Sequence, residues 1–136
     1  MKLWEKILNI CVPVIVGAVL YYLFCPDVLF VQAVDSWTGL RLHIAADYDH
    51  MTVRLIRFYL FDFLWAYSLM FLALSLSEEK GGRVTIPVVF LFEGGMELLQ
   101  LAPAVKGTFD IWDLFVEFVA GVMVIKIFRR RNNEEI

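Results

Sequence analysis

The sequence predicts an all-α, polytopic membrane protein with four transmembrane helices and a short surface helix in the first outer connection. The 136 residues are 60% hydrophobic and 15% aromatic, with a mean hydropathy of +0.70, far above the apolar share of an ordinary globular domain. In addition, four apolar segments are long enough, at about 1.5 Å rise per residue, to cross a hydrocarbon core of about 30 Å. They comprise roughly residues 7–24, 58–76, 84–101 and 111–128.

The first segment follows the basic start "MKLWEK", a feature that it shares with signal peptides. Its apolar run is longer than the core of a typical signal peptide, and "VLYYLFC" offers no A-x-A cleavage site. We therefore expect an uncleaved transmembrane helix.

Residues 25–57 form the one sizeable connection, since the other two, "SEEKGGR" and "APAVKGTFD", are short. We therefore predict a single four-helix membrane domain over residues 1–136, without a separate soluble domain. Within this connection, Pro26 and Asp27 open a stretch with helix-compatible apolar spacing. This pattern predicts a short helix at the membrane surface, with Trp37 as an interfacial anchor.

Both histidines of the chain follow this short helix, together with two aspartates. The four residues are His43, Asp47, Asp49 and His50. Their side chains are of the types that bind metals, but their spacing matches no specific ligand motif. Solvated loop charges are the commoner explanation, so we predict neither a metal nor a cofactor.

Lysine and arginine residues predict the orientation, because positively charged loops stay on the cytoplasmic side. One face collects Lys2, Lys6, Lys80, Arg83, Lys126, Arg129, Arg130 and Arg131. The other face has only Arg41, Arg54, Arg57 and Lys106. We therefore expect both termini in the cytoplasm of a multi-pass protein of the cell membrane. The basic C-terminal run acts as a topology anchor, and a formal net charge of −3 argues against a nucleic-acid partner.

Two polar stripes occur on the third and fourth predicted helices. Positions i, i+4 and i+7 of the third helix are Glu93, Glu97 and Gln100, and positions i, i+3 and i+7 of the fourth are Asp110, Asp113 and Glu117. Because the two helices run antiparallel across a short outer loop, the stripes predict a polar seam in the outer half of the bilayer. Gly94 and Gly95 lie beside the first stripe, where they permit close helix approach or leave room for a ligand.

The second predicted helix adds Asp62, about one turn inside its outer end, with Arg57 five residues before it. An ionised acid near the bilayer centre costs about 2.5 to 3.5 kcal/mol on insertion scales, so these acids must face inward. Six acids then compete for three nearby cations, Arg54, Arg57 and Lys106. The excess indicates protonated acids, a hydrated cavity or a bound cationic ligand. Alternatively, the acids only hydrogen-bond with one another and hold the bundle together.

The stretches "EGGMELLQ" and "GTFDIWDLFVEFVAG" resemble the signature of VanZ-like membrane proteins over roughly the last 45 residues. The matching positions are Glu97 and Gln100 for a Glu-x-x-Gln pair, Gly107, Asp110 and Asp113 for an Asp-x-x-Asp motif, and the small residues Ala120 and Gly121. Thr108 stands where an Arg is usual and Glu117 where an Asn is expected, so this chain lacks a cation of that pattern and has an additional acid. The resemblance implies a small bacterial envelope protein whose best-known relative gives low-level resistance to the glycopeptide teicoplanin. It implies no reaction.

Three functions remain open at this point. The first, from the resemblance, is a non-enzymatic protein in contact with membrane lipids whose acidic seam binds an amphiphile: a lipid-linked precursor, a lipid head group or a glycopeptide. The second is a membrane enzyme using a carboxylate pair on a lipid-linked substrate. Because the seam has no histidine, we assign no catalytic residues. The third is a proton- or cation-coupled carrier, which would need to dimerise because the chain shows no inverted repeat. Homo-oligomerisation is left open.

Overall fold

The computed structural model describes residues 2–44, 50–77, 82–102 and 110–133, and these residues are all-helical, without a strand. The helices are α1 (Leu3–Phe24), α2 (Leu29–Thr38), α3 (Met51–Leu55), α4 (Phe61–Leu76), α5 (Thr85–Leu99) and α6 (Ile111–Asn133). A π-helical turn, Ile56–Leu60, joins α3 to α4 in one continuous helix. The predicted all-α class is confirmed, as is a short helix after Pro26 and Asp27.

Two helices of the described part are long and apolar enough to cross a membrane, judged by length and composition. They are α1 and the continuous helix Met51–Leu76, with mean hydropathies of 2.3 and 1.6. Helix α5 has 15 residues and is therefore about 22 Å long, shorter than a typical hydrocarbon core. Helix α6 has 23 residues, but Asp113, Glu117 and Lys126 interrupt its apolar character. It also continues five residues beyond the predicted end at Phe128, because arginines favour helix as well as most apolar residues do.

Helix α4 is the centre of the bundle and packs against α1, α5 and α6, while α5 also packs against α6. Its buried side chains form the core together with residues from α5 and α6. The core consists of Ala66, Tyr67, Met70, Phe71, Leu74, Val89, Ala120 and Val124. Small residues in this set let the helix backbones approach closely, and α6 can therefore bring its polar stripe against α4 and α5.

Gly121 of α6 lies tightly against side chains of α5 and α4. A Cβ atom there would lie 2.6 Å from Cε1 of Phe90 and 3.3 Å from Cε of Met70. By contrast, a Cβ on Gly95 would meet nothing within 4 Å, and one on Gly94 would be in ordinary contact with Leu114 at 3.9 Å. The absence of a side chain is thus required at Gly121, whereas Gly94 has only an ordinary contact and Gly95 borders open space.

Helix α1 lies along α4 through polar and aromatic contacts. The hydroxyl of Tyr67 donates to Oδ1 of Asn9 at 2.9 Å, and the rings of Tyr21 and Phe61 meet edge to face with their centroids 5.1 Å apart. Asn9 is a polar residue inside an apolar helix, and Tyr67 satisfies it across the interface. These contacts make α1 part of the bundle.

The two ends of the described chain meet at one end of the bundle. Nη1 of Arg131, near the end of α6, lies 3.0 Å from Oε2 of Glu5 in the first turns of α1. At the opposite end, the hydroxyl of Tyr59 donates to Oδ2 of Asp110, just before α6, at 3.4 Å. The long helices thus run up and down between two distinct ends.

Candidate functional site

Five acidic side chains from three helices converge inside the bundle, and we call them the acidic cluster. They are Asp62 of α4, Glu93 and Glu97 of α5, and Asp113 and Glu117 of α6. Glu117 lies within electrostatic range of the other four carboxyl groups. The cluster therefore unites the two predicted stripes with Asp62.

Helical periodicity explains why each helix delivers its acids to the same place. Glu93 and Glu97 are one turn apart on α5, and Asp113 and Glu117 are one turn apart on α6, so each pair occupies one face of its helix. Among the other acids, Glu117 interacts most strongly with Glu93, and Glu97 with Asp113. The antiparallel helices thus form two layers, one with Glu97 and Asp113 and the next with Glu93 and Glu117.

The glutamates of the cluster are withdrawn from solvent and short of hydrogen-bond donors. Glu93 is 3% exposed, and Glu97 and Glu117 are each 6% exposed. Both carboxyl oxygens of Glu93, and one oxygen each of Glu97, Asp113 and Glu117, are buried without a hydrogen-bond partner among the described residues. Leaving a buried polar group unpaired costs about 1 to 3 kcal/mol, so such an arrangement is expected where a ligand supplies the donors.

The remaining polar residues of the seam are paired at its edge. Nε2 of Gln100 donates to Oε1 of Glu97 at 3.0 Å. Asp110 accepts from the backbone N–H of Trp112 at 3.0 Å and from the Tyr59 hydroxyl at 3.4 Å. Asp110 therefore caps the N-terminus of α6 and has a structural role of its own, distinct from that of the buried acids.

Several predicted positions lie outside the described residues. These are the side chain of Arg57, together with Lys106, Gly107 and Thr108 of the third connection. Among the described residues, no lysine, arginine or histidine forms an ion pair with the acidic cluster. The described cationic side chains thus do not neutralise the acidic cluster.

An apolar groove of about 340 Å³ runs along the π-helical turn, and Tyr59, which lines it, contacts Asp110 at the edge of the seam. It is lined by Thr52, Leu55, Ile56, Tyr59, Leu60, Phe63 and Val116. π-Helical turns widen a helix locally and are frequent at functional sites. We call this feature the π-turn groove.

A second polar network lies where α1 ends, and sequence reasoning missed it. The Tyr22 hydroxyl donates to Oδ1 of Asp35 at 2.6 Å, and Nε2 of His43 lies 2.6 Å from Oδ2 of the same carboxylate. Nδ1 of His43 is also 3.1 Å from the Tyr22 carbonyl oxygen. We call these three residues the clasp, because they join α1, α2 and the segment after α2. Gly39, with φ of 72° at the end of α2, turns the chain back, and a glycine after a predicted helix is the signal from which this turn could have been inferred.

The contacts within the clasp shift the pKa values of Asp35 and His43. The hydrogen bond from Tyr22, followed by that from His43, lowers the pKa of Asp35. The hydrogen bond to Asp35 raises the pKa of His43. At neutral pH this favours a carboxylate paired with an imidazolium, and His43 is therefore engaged in a structural contact.

The alternative of a metal site in this region gains no support. His50 accepts a hydrogen bond from the backbone N–H of Thr52 at 3.4 Å and so caps α3. Asp47 and Asp49 lie outside the described residues. Within the described ranges, no group of three or more His, Cys, Asp or Glu side chains is arranged to hold a metal ion.

Comparisons of this chain with protein-family models, with curated proteins and with solved structures give no match. Its function must therefore be argued from the site itself.

Proposed function

We propose that the protein crosses the cell membrane four times, through α1, the continuous helix Met51–Leu76, α5 and α6, with the short α5 accommodated by local thinning of the bilayer. The exposure of α1 supports this: none of its residues is buried, and Val12, Ile15 and Val19 are 47%, 60% and 52% exposed. Soluble monomers rarely expose contiguous apolar patches of more than a few hundred Å². Lipid is the environment in which such a surface is stable.

The contacts at the two ends of the bundle support an even number of crossings. The ion pair between Glu5 and Arg131 brings the start of α1 and the end of α6 to the same side. Eight of the twelve lysines and arginines belong to that side, which assigns both termini to the cytoplasm under the positive-inside rule. The acidic cluster and the clasp then lie toward the outer surface.

We infer that the acidic cluster binds the polar head of an amphiphilic ligand, without catalysing a reaction on it. This agrees with the resemblance to VanZ-like envelope proteins and with a lipid-linked precursor, a lipid head group or a glycopeptide as ligand. The observation that carries the proposal is Glu93, which is 3% exposed while neither of its oxygens has a partner among the described residues. A cluster serving only to hold helices together would pair its groups with one another, and each such contact contributes only about 0.6 kcal/mol on average.

A retention experiment tests this function. The protein and its variants E93Q and E97Q would be purified in a mild detergent, and the lipids that remain bound would be identified by native mass spectrometry. We expect one amphiphile class to be retained by the wild type and lost from both variants. The matched control is E5Q, which removes an acid at the other end of the bundle and should retain the ligand.

Other outcomes separate the alternative functions. Equal retention by all four proteins would contradict binding at the cluster. Proton or cation flux in liposomes that requires Glu93 and Glu117 would assign a carrier. Chemical conversion of the retained lipid, abolished in E93Q, would assign an enzyme. In cells, teicoplanin tolerance that depends on Glu97 and Asp113 would select a glycopeptide as the ligand.

A further inference from the structure

The acidic cluster and the π-turn groove share two helices, α4 and α6. Tyr59 lines the groove, and its hydroxyl donates to Asp110 at the edge of the seam. Val116, which lines the groove from α6, directly precedes Glu117 of the cluster. A polar site and an apolar groove therefore lie side by side, as an amphiphile with a head and a tail requires.

The chemistry of the cluster selects the charge of the head group. Five buried carboxyl oxygens lack a donor, and no cationic side chain among the described residues pairs with the cluster. Glu93 is more than nine-tenths buried, has no partner for either oxygen among the described residues, and lies within electrostatic range of Glu117. A primary ammonium group has one positive charge and three N–H donors, whereas a hydroxyl has one donor and a quaternary ammonium has none.

From this juxtaposition we propose that the ligand is an amphiphile with a primary ammonium head group. The ammonium group donates to Glu93, Glu97 and Glu117, and the aliphatic tail lies in the π-turn groove. This inference rests on the function proposed above and specifies its ligand class. An amine-bearing lipid and an amine-bearing lipophilic antibiotic share this chemistry.

A set of four single-chain amphiphiles with the same tail tests the head group. Hexadecylamine, hexadecyltrimethylammonium, hexadecanol and hexadecanoate would compete at equal concentration for the detergent-solubilised protein, and native mass spectrometry would report the bound fractions. We expect hexadecylamine to bind about tenfold or more tightly than hexadecanol, because charge-assisted hydrogen bonds are the strong ones. Hexadecanoate should bind least, since its charge is repelled by the cluster.

Variants of the acidic cluster test whether its carboxylates cause the preference for hexadecylamine over hexadecanol. E93Q and E117Q keep the shape of the side chain and should each reduce the preference of hexadecylamine over hexadecanol by about tenfold. The control E5Q should leave it unchanged. A preference that survives in both cluster variants would overturn the proposed location.

Variants of the groove locate the tail. In the wild type, hexadecylamine should bind more tightly than octylamine, because the longer tail buries more apolar surface. L60W and L55W, which fill the groove from two positions, should remove this advantage of chain length while keeping the preference for the amine. Leu72 is exposed on α4 outside the groove, so L72W is the matched control. An unchanged chain-length effect in L60W and L55W would contradict the assigned groove.

The outcomes distinguish this inference from the broader function. Binding of none of the four amphiphiles would contradict the proposed function itself. Equal binding of all four would overturn the ammonium head group alone. A preference for hexadecylamine that is absent from the wild type and appears in R57Q would also overturn it, because Arg57 would then be the cation that neutralises the cluster.

A competition experiment distinguishes a membrane lipid from an antibiotic as the source of the amine. Vesicles containing lysyl-phosphatidylglycerol, which has a free amine, and vesicles containing only phosphatidylglycerol would be compared with soluble lipoglycopeptide as competitors of hexadecylamine. Displacement by the aminoacylated lipid alone assigns a membrane lipid, and displacement by the lipoglycopeptide alone assigns an antibiotic. Displacement by neither overturns the proposal.

Discussion

Asp35 of the clasp and Glu93 of the acidic cluster are both carboxyl groups at helix interfaces, yet their surroundings differ. Asp35 uses both oxygens, one for the Tyr22 hydroxyl and one for His43, each at 2.6 Å. Glu93 is more deeply buried and has no partner for either oxygen among the described residues. The paired carboxylate joins segments of the chain, whereas the unpaired one is available to a ligand.

The lack of a hydrogen-bond partner has an energetic cost at Glu93 because Glu93 is buried. A polar group that remains partly hydrated loses little if it lacks a partner, but a buried one incurs the full desolvation penalty. The unpaired acids are therefore groups that destabilise the fold. Under the proposed function, stability and ligand binding are opposed at this site, as they often are at functional sites.

The largest expected effect tests that opposition at Glu93. In E93M, an apolar side chain of similar length replaces the buried acid, and the variant should be more stable than the wild type by about 1 to 4 kcal/mol. The midpoint of thermal unfolding in detergent would measure this, and the same variant should no longer retain the ligand. A lower midpoint would show that Glu93 is satisfied in the protein and would remove the contrast with Asp35.

The next effect concerns the close helix approach that brings the acids together. G121A places a Cβ atom 2.6 Å from the Phe90 ring, and such overpacking should destabilise the bundle by about 1 to 3 kcal/mol. G95A is the matched control, because its Cβ has open space and alanine favours helix by about 1 kcal/mol over glycine. Thermal unfolding of the two variants in detergent should shift in opposite directions; a shared direction would contradict the assigned contact at Gly121.

The stability that the clasp contributes should depend on pH, because the pKa of His43 is raised and that of Asp35 is lowered. The pKa of His43 is raised in the folded protein. Its contribution to the free energy of unfolding is therefore complete below a pH of about 6.5, its ordinary pKa. This contribution is lost as the pH rises through the raised pKa. The pKa of Asp35 is lowered, so its contribution is present above about 3.9 and is lost as the pH falls through the lowered value. The clasp is thus strongest in mildly acidic solution and weakens toward alkaline pH.

The variant H43Q checks this prediction. Its unfolding midpoint should lie below that of the wild type at pH 6, and the gap should close as the pH rises above neutrality. The control S36A changes a non-titratable side chain of α2 beside the clasp, and its gap from the wild type should be the same at each pH. A gap between H43Q and wild type that is constant from pH 6 to pH 9 would mean that the charge of His43 plays no part.

The smallest effect concerns a paired group deep in the bundle. Y67F removes the hydrogen bond from Tyr67 to Asn9 and should cost about 0.6 kcal/mol, the average for such contacts between membrane helices. Unfolding in detergent should detect a slightly lower midpoint, and ligand retention should be unchanged. A loss of ligand retention in Y67F would show that residues outside the acidic cluster also determine ligand binding.

Helix-forming segments and polar stripes could be predicted from the sequence because both are local properties. Composition and apolar run length located the helices to within a few residues at most ends, and the spacing of Glu93 and Glu97 placed both on one face of α5. The start of the second long helix was predicted at residue 58, but the helix begins at Met51. The stretch "MTVRLIR" before residue 58 contains two arginines among its apolar residues, so hydropathy alone did not reveal that the helix continues through it.

The roles of the individual polar residues could not be predicted in the same way. Asp110 belongs to the same stripe as Asp113, yet it caps α6 and accepts from Tyr59. Gly94 and Gly95 were expected either to permit close helix approach or to leave room for a ligand, and the tight contact occurs instead at Gly121. His43 was considered as a metal ligand or a solvated loop residue, whereas Asp35, which it contacts, had not been singled out.

The sequence by itself determined that the chain is helical, strongly apolar, and marked by two acidic stripes, because composition and periodicity act over a few turns. Only the tertiary structure decided which acids are paired, where helices touch, and which segments the clasp joins. Those properties depend on how each helix is rotated against its neighbours and on contacts such as that of Tyr59 with Asp110, 51 residues apart. The contrast between a satisfied Asp35 and an unsatisfied Glu93 is therefore a property of packing, and local sequence patterns do not contain it.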